Sequence, residues 1–271
     1  MNDTQDFPVG GPRFVVASSW HTDVGKRRQT NEDAARCDEL INGVGEMSTL
    51  LTLSDGVGGA NAGEVASLMA VDGIFELLNA KWAQGGMSET DTPDRWIDQA
   101  MREIDQRIRV AGGTAGTAEM GATLSTAWII GSRAWWGQAG DSRIYVFRDD
   151  SLRQVTVDQS PVGRLRADGA LTEAEARAHP MRNLIDQCLG GNGEAVIPVT
   201  GYVDLIDNDI FLLCSDGLND GLWDEELAKG LREIAAGADL TTAAYQLVED
   251  AKAASGRDNI TAIVARVRKE G

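Results

Sequence analysis

The sequence is short of several things at once: histidine, cysteine pairs, long apolar runs and any excess of positive charge. Two histidines, His21 and His179, leave no imidazole cluster from which to build a nitrogen-ligated metal site. Cys37, Cys188 and Cys214 stand far apart, with no CxxC pair. That argues against a cysteine zinc site, and the odd count argues against a disulfide framework. No apolar stretch approaches the ~18 residues that read as a membrane span. The N-terminus, MNDTQDFPVGG, lacks the basic region and apolar core of a signal peptide, which points to the cytoplasm. Lys and Arg number 25 against 42 Asp and Glu, a formal net charge of −17. A chain so acidic is a poor match for nucleic acid or anionic lipid.

What is present is glycine and aspartate, and their arrangement repeats. At 53–59, LSDGVGG, an apolar run reaches Asp55 and breaks into glycines. AGDSR at 139–143 sets Asp141 between two strand candidates. FLLCSDG at 211–217 drives an apolar run into Asp216. SGRDNIT at 255–261 sets Asp258 just before the last strand candidate, and TNED at 30–33 adds Glu32 and Asp33. One such Asp is an ordinary turn former. Acidic positions repeated beside strand ends imply convergence at a sheet rim, where glycine lets the backbone turn tightly and a ligand come close.

Converged carboxylates raise one another's pKa and need protons or cations nearby. Oxygen-rich, imidazole-poor ligation suits a hard cation, Mn²⁺ or Mg²⁺. Lys26, Arg27 and Arg28 form a compact basic patch directly before Asn31, Glu32 and Asp33. In isolation that is a solvated turn. Beside a metal centre, an Arg fork clamps phosphate oxygens, so the combination points to phosphoester chemistry.

Strand patterns are predicted at 14–19, 48–54, 123–130, 133–138, 143–148, 196–203, 209–214 and 260–267. Helices are predicted at 61–80, with Val65, Leu68, Met69, Ile74 and Leu77 inward, and from Pro93. The second helix has Trp96, Ile97, Met101, Ile104 and Ile108 on its core face and is ended by Gly112, Gly113 and Gly116. Shorter helices are predicted at 171–178 and at 240–254, the latter with Ala244, Leu247, Val248 and Ala251 inward. Closely spaced strands without intervening helices imply antiparallel hairpins, hence an α+β fold in which helices cover sheets.

Taken in order, RQTNED (28–33), SDGVGG (54–59), GATL (121–124), GDSR (140–143), TVDQS (156–160), LTEAEARAHPMRN (171–183), CSDGL (214–218) and GRDNIT (256–261) make the chain resemble a known family. It resembles the bacterial metal-dependent protein phosphatases of type 2C, which act on phosphoserine and phosphothreonine, over nearly its whole length.

The resemblance implies a four-layer α-β-β-α sandwich in which two antiparallel sheets are flanked by helices. It implies a single catalytic domain over 13–268 that includes a flap at 161–183, with an N-terminal extension at 1–12 and a tail at 269–271. By resemblance, Asp55 bridges two core ions, Asp216 and Asp258 complete one shell, and the Gly56 carbonyl joins the other. Asp33 matches the aspartate beside the core centre and Glu32 the acidic residue before it. Asp141, with Asp216, matches a third, weaker site, and Arg28 matches the phosphate-binding arginine.

The implied reaction is hydrolysis by metal-activated water, without a phosphoenzyme, on phosphorylated protein substrates, opposing a Ser/Thr kinase. The chain departs from the pattern at Val57, where eukaryotic relatives often carry a histidine, and at Gln159, where the family pattern has one. Two other readings remain at this stage: a non-hydrolysing binding module, which should lose core acids, and an esterase for small phosphates. A monomer is the default.

Overall fold

The structure, a computed structural model, describes residues 13–58, 62–84, 91–115, 120–191 and 193–270. The predicted extension at 1–12, together with Gly59, Asn61 and Gly116, lies outside them. The chain enters through β1 (Phe14–Asp23), β2 (Asp33–Ile41) and β3 (Met47–Val57), then α1 (Ala62–Ala83) and α2 (Pro93–Ala115). Next come β4 (Gly121–Ala122), β5 (Leu124–Ile130), β6 (Arg133–Ala139), β7 (Arg143–Arg148) and β8 (Ser151–Gln154). Two short helices, α3 (Pro161–Ala167) and α4 (Glu173–Ala178), lead to β9 (Leu189–Gly190), β10 (Val199–Asp204) and β11 (Ile210–Cys214). The chain closes with α5 (Asp216–Gly221), α6 (Asp224–Ala235), α7 (Leu240–Ala254) and β12 (Ile260–Lys269).

One sheet has the order β1-β12-β11-β7-β8. The other runs β10-β6-β5-β3-β4-β9, with β2 also paired to β3. Strand neighbours are antiparallel. Side chains alternate across a strand, and this alternation builds the layers. Leu51 and Leu53 of β3 meet Leu213, Ile263 and Ala265 between the sheets. Leu50 of β3 faces Ile74 and Leu78 of α1 and Ile97, Met101 and Ile104 of α2. On the far side, Leu212 and Val264 pack against Leu218, Leu227, Leu231 and Val248 of α5, α6 and α7. The result is the expected four-layer α-β-β-α sandwich. Burial on both sheet faces explains the continuous apolar runs in β3, β5 and β11.

Three expectations are corrected. In α1, Val65 and Leu68 are exposed, at 47% and 50%. The buried row is mostly small, with Ala62, Gly63, Ala66, Ser67, Ala70 and Gly73 leading to Ile74 and Leu78. Small residues let α1 approach its neighbours: a Cβ on Gly73 would stand 3.0 Å from Ile104 Cγ1. In α2, Gly112 and Gly113 do not end the helix, which runs to Ala115. A helical glycine costs only about 1 kcal/mol, less than the packing of the preceding turns supplies. The strand predicted from 196 begins at Val199. The predicted face of α2 is correct, with Trp96, Ile97, Met101, Ile104 and Ile108 all buried.

The cysteines are free thiols. Cys214 is buried; Cys37 and Cys188 are half-buried. Burial pushes Cys37 up to about 11 and Cys214 up to about 12, so both are protonated and inert at neutral pH. Among the described residues no helix is long and apolar enough to cross a membrane.

Candidate active site

Strand register brings the predicted acids to one end of the sandwich. Asp33 opens β2 and pairs across with Asp55 near the end of β3. Leu53 pairs with Ser125 at the start of β5, and Leu124 with Ala139 at the end of β6. The chain then crosses between the sheets through Gly140, Asp141 and Ser142 into β7. There Arg143 pairs with Cys214 at the end of β11, and Cys214 with Ala262 near the start of β12. Asp216 follows β11 and Asp258 precedes β12. Residues separated by more than two hundred positions thus share one rim.

Each acid is held by its own local device. Asp33 Oδ2 accepts from Ser215 Oγ at 2.8 Å and from Thr261 Oγ1 at 2.6 Å. The Asp55 backbone exchanges bonds with Thr123: its N–H donates to Thr123 Oγ1 at 2.9 Å, and its carbonyl accepts from Thr123 N at 2.8 Å. Thr123 Oγ1 also meets Ser142 Oγ at 2.8 Å, which couples the β3 end to the turn bearing Asp141. Gly140 in that turn has φ +108°, and a Cβ there would stand 2.6 Å from Thr123 Cγ2, so only glycine fits. Gly56 is equally constrained: a Cβ would stand 2.3 Å from the Gly63 carbonyl oxygen. Gly56 N donates to the Glu32 carbonyl at 3.1 Å.

The electrostatics are those of crowded acids. Burial, then Asp33, Asp216, Asp141 and Asp258, holds Asp55 well above the usual carboxylate range. Burial, then Asp141 and Asp258, does the same for Asp216. Burial pushes Asp33 up to about 6 against the pull of its two hydroxyl partners. Burial and the charge of Asp158 push Asp141 up to about 6. Glu32 is buried beside α1 and raised by that burial, with Arg28 acting in the opposite sense.

Arg28 closes the rim. Its Nη2 lies 2.7 Å from Asp258 Oδ2, and Nη1 lies 3.5 Å from Glu32 Oε2. Lys26 is not part of this field; its Nζ donates to the Ala253 carbonyl in the last turn of α7, at 2.8 Å. Val57 is partly exposed at the rim, and His21 is not its substitute, since its ring packs edge-on against Tyr245 of α7.

Asp33 Oδ1 and Asp216 Oδ1 are buried and have no hydrogen-bond partner. Such atoms normally find one, and a hard cation is the partner that an oxygen-only neighbourhood suits. Among the described residues no three His, Cys, Asp or Glu side chains are gathered closely enough to ring an ion. Asp258 is turned to Arg28 and Asp33 to two hydroxyls. The residues fit divalent cations by donor type and by unsatisfied oxygens.

Residues of the 161–183 segment line a cleft together with Asp141 and Asp216. Ser160 Oγ caps α3 by accepting from Gly163 N, and Thr172 with Glu175 forms a capping box on α4. The segment is tied down by ion pairs of Arg166 with Asp224 and Arg164 with Asp186. Arg177 pairs with Glu173 at 2.9 Å and lies over the Trp223 ring. His179 Nδ1 accepts from Met181 N within the segment. The cleft between this segment and the acids is lined by Asp141, Arg143, Arg182, Asp216, Asn219 and Asp220, among others.

Gln159 is a strut. Its Oε1 accepts from Gly140 N at 2.8 Å and its Nε2 donates to the Ile197 carbonyl at 3.0 Å, so the Asp141 turn is pinned from behind. Beneath the cleft, Arg143 grips Asp158 through contacts of 2.6 to 3.0 Å.

Sequence reasoning missed Ser215, Thr261, Thr123, Asn259 and Asp220. All but Asp220 fall inside the quoted motifs; Ser215 and Asn259 stand directly beside acids, whereas Thr123 and Thr261 do not. Asp220 lies one helical turn beyond Asp216.

A double antiparallel sandwich with an oxygen-only acidic rim and an arginine beside it defines the class: a metal-dependent phosphatase. A family model described as protein phosphatase 2C matches residues 25–254, and the chain belongs to that family of serine/threonine phosphatases. It is 34% identical over 249 residues to protein phosphatase PhpP of Streptococcus pneumoniae, covering 92% of this chain and 96% of that one. The S. agalactiae serine/threonine phosphatase superposes with a TM-score of 0.79 at 32% identity, covering 94% of this chain and all of the other. The catalytic domain of the serine/threonine phosphatase PstP, solved with two manganese ions, gives 0.76 at 30% identity, covering 94% and 99%.

Proposed function

We propose that the acidic rim is the catalytic centre of a protein phosphatase within a single domain spanning 13–268. Asp55, Asp33, Asp216 and Asp258, with the Gly56 carbonyl, would hold two core cations, Mn²⁺ or Mg²⁺. Asp141 and Asp216 would serve a third, weaker site, and Glu32 would add negative potential behind Arg28. Bound there, the cations supply a lowered pKa for the attacking water and neutralise charge on the phosphoryl oxygens.

The chain's own residues do the rest. Arg28, about half exposed at 46%, presents its fork to a phosphate at the rim. Ser215 and Thr261 orient Asp33 and stabilise its charged form. The reaction is direct hydrolysis, without a phosphoenzyme. No cysteine in the chain is suited to be a nucleophile, because burial keeps Cys37 and Cys214 protonated and raises Cys188. Val57 offers no proton, so the leaving serine or threonine oxygen takes its proton from water.

The substrate class is phosphoserine and phosphothreonine in other proteins, and the activity opposes a Ser/Thr kinase. The flap, with two capped helices and an arginine-lined underside, favours a protein over a small ester. The observation that carries this reading is the pair of buried, unpartnered oxygens on Asp33 and Asp216 beside Asp55. Phosphopeptide hydrolysis with Mn²⁺ tests it. Asp55→Asn should lose on the order of 10³-fold in turnover, the scale of removing a main source of transition-state charge stabilisation. Equal rates in both proteins would contradict it.

A further inference from the structure

The loop from Val24 to Glu32 carries Arg28 and lies between two strands of different sheets, so neither ladder holds it. Asn31 ties it to Thr22 and Lys26 ties it to Gly256 and Ala253, and one further side chain bridges its two ends. Asn259, 3% exposed at the start of β12, accepts the Glu32 N–H on Oδ1 at 2.8 Å. Its Nδ2 donates to the carbonyls of Val24 and Thr30, both at 3.0 Å. The acceptor and the two donors of one amide are all in use, and the partners lie on both sides of Arg28. The Asn259 backbone N–H also donates to Asp258 Oδ1 at 2.8 Å, while Asp258 Oδ2 meets Arg28. The loop lies hard against this segment: a Cβ on Gly25 would stand 2.2 Å from the Asp258 carbonyl oxygen.

We propose that Asn259 is a positioning residue for Arg28, fixing both the backbone that carries the guanidinium and the carboxylate on which it leans. The inference rests on the phosphate role given to Arg28 above. Arginine has much rotamer freedom, and a phosphate that had to order both loop and side chain would bind more weakly. Asparagine is the side chain the site requires. An aspartate would still accept from Glu32 N–H but would set an anion against two carbonyl oxygens.

The test is a double-mutant cycle at saturating Mn²⁺. Inhibition by inorganic phosphate and KM for a phosphopeptide are measured in wild type, Asn259→Asp, Arg28→Ala and the double variant. Asn259→Ser, which adds no charge, is carried through the same cycle. Mn²⁺ affinity by calorimetry is the control for damage to the metal site. Replacing Asn259 should weaken phosphate binding and raise KM by about tenfold, with a smaller change in kcat. It should cost nothing further once Arg28 is alanine.

Losses of equal size in the Arg28→Ala background, or unchanged phosphate affinity in the single variants, would overturn the role of Asn259. An Arg28→Ala single variant with undiminished phosphate affinity would instead overturn the phosphate role of Arg28, and this inference with it. Hydrogen exchange on the wild-type chain reads the same contact without any variant. The Glu32 amide should exchange much more slowly than the Gln29 amide, and equal rates would contradict the clamp.

Discussion

At the floor of the cleft, Asp33 and Asp216 each keep a buried oxygen without a partner, and Asp55 lies among four other carboxylates. In the flap and its seat, Arg164, Arg166 and Arg177 each close on an acid: Asp186, Asp224 and Glu173. Both regions are rich in charge. The flap region neutralises its charge within the chain, whereas the floor leaves negative charge over. Paired charge of that kind holds a segment in place. Surplus charge on a buried rim opposes folding of the bare chain unless something from outside binds to it.

The contrast can be attacked from the structural side first. Asp158 and Arg143 form a nearly buried pair directly beneath the floor, with side-chain exposures of 10% and 15%. Asp158→Ala strands the guanidinium and should lower stability by about 3–5 kcal/mol in urea unfolding. A loss below about 1 kcal/mol would place this pair with surface pairs and blur the distinction. A smaller effect is expected at the floor itself. Thr261→Val removes the 2.6 Å donor to Asp33 Oδ2 with little change of shape. Support of this kind behind a ligand is worth about tenfold in metal affinity, so calorimetry with Mn²⁺ should show a loss of that size. The smallest effect belongs to the flap. Arg166→Gln breaks the pair with Asp224 and should cost under about 1 kcal/mol, with KM for a phosphopeptide shifting only a few-fold. A loss of turnover in that variant as severe as expected for Asp55→Asn would mean that the two regions are not distinct.

Sequence carried unequal amounts of this molecule. The face of α2 was legible because Trp96, Ile97, Met101, Ile104 and Ile108 are large and recur at helical spacing. The face of α1 was not, because alanine, glycine and serine fill it while Val65 and Leu68 point to solvent. β2 escaped notice because it carries Arg36, Asp38 and Glu39 among its nine residues; its register with β3 makes it a strand. Residues 224–235 carry a helical pattern, with Leu227, Leu231 and Ile234 buried, that received no assignment. α5 is too short and glycine-rich to read, and a Cβ on Gly221 would stand 2.5 Å from Ala251 Cα.

Asp55, Asp141, Asp216 and Asp258 were legible because each borders a strand-like run close to glycine, whereas Asp33 stood out only through Glu32 and the basic patch before it. The hydroxyl and amide partners of these acids were not legible. Ser215 and Thr261 reach Asp33 because β11 pairs with β12 at that register, a long-range fact that no local pattern contains. Lys26 shows the converse. It reads as part of a phosphate-facing patch, yet it is spent on a helix terminus.

The central claim is that the surplus negative charge of the floor is there for cations, and thermal melting across pH with and without Mn²⁺ tests it most directly. Asp33 and Asp141 are raised to about 6, and Asp55 and Asp216 are raised well above the usual range. Between the ordinary carboxylate value near 4 and those raised values, the folded chain holds protons that the unfolded chain has released, so stability falls as pH rises. The metal-free chain should therefore melt lower at about pH 8 than at about pH 5.5. Mn²⁺ should lift and flatten that profile, and Asp55→Asn should weaken both the pH dependence and the response to Mn²⁺. A metal-free melting temperature that climbs over this range and ignores Mn²⁺ would contradict the account.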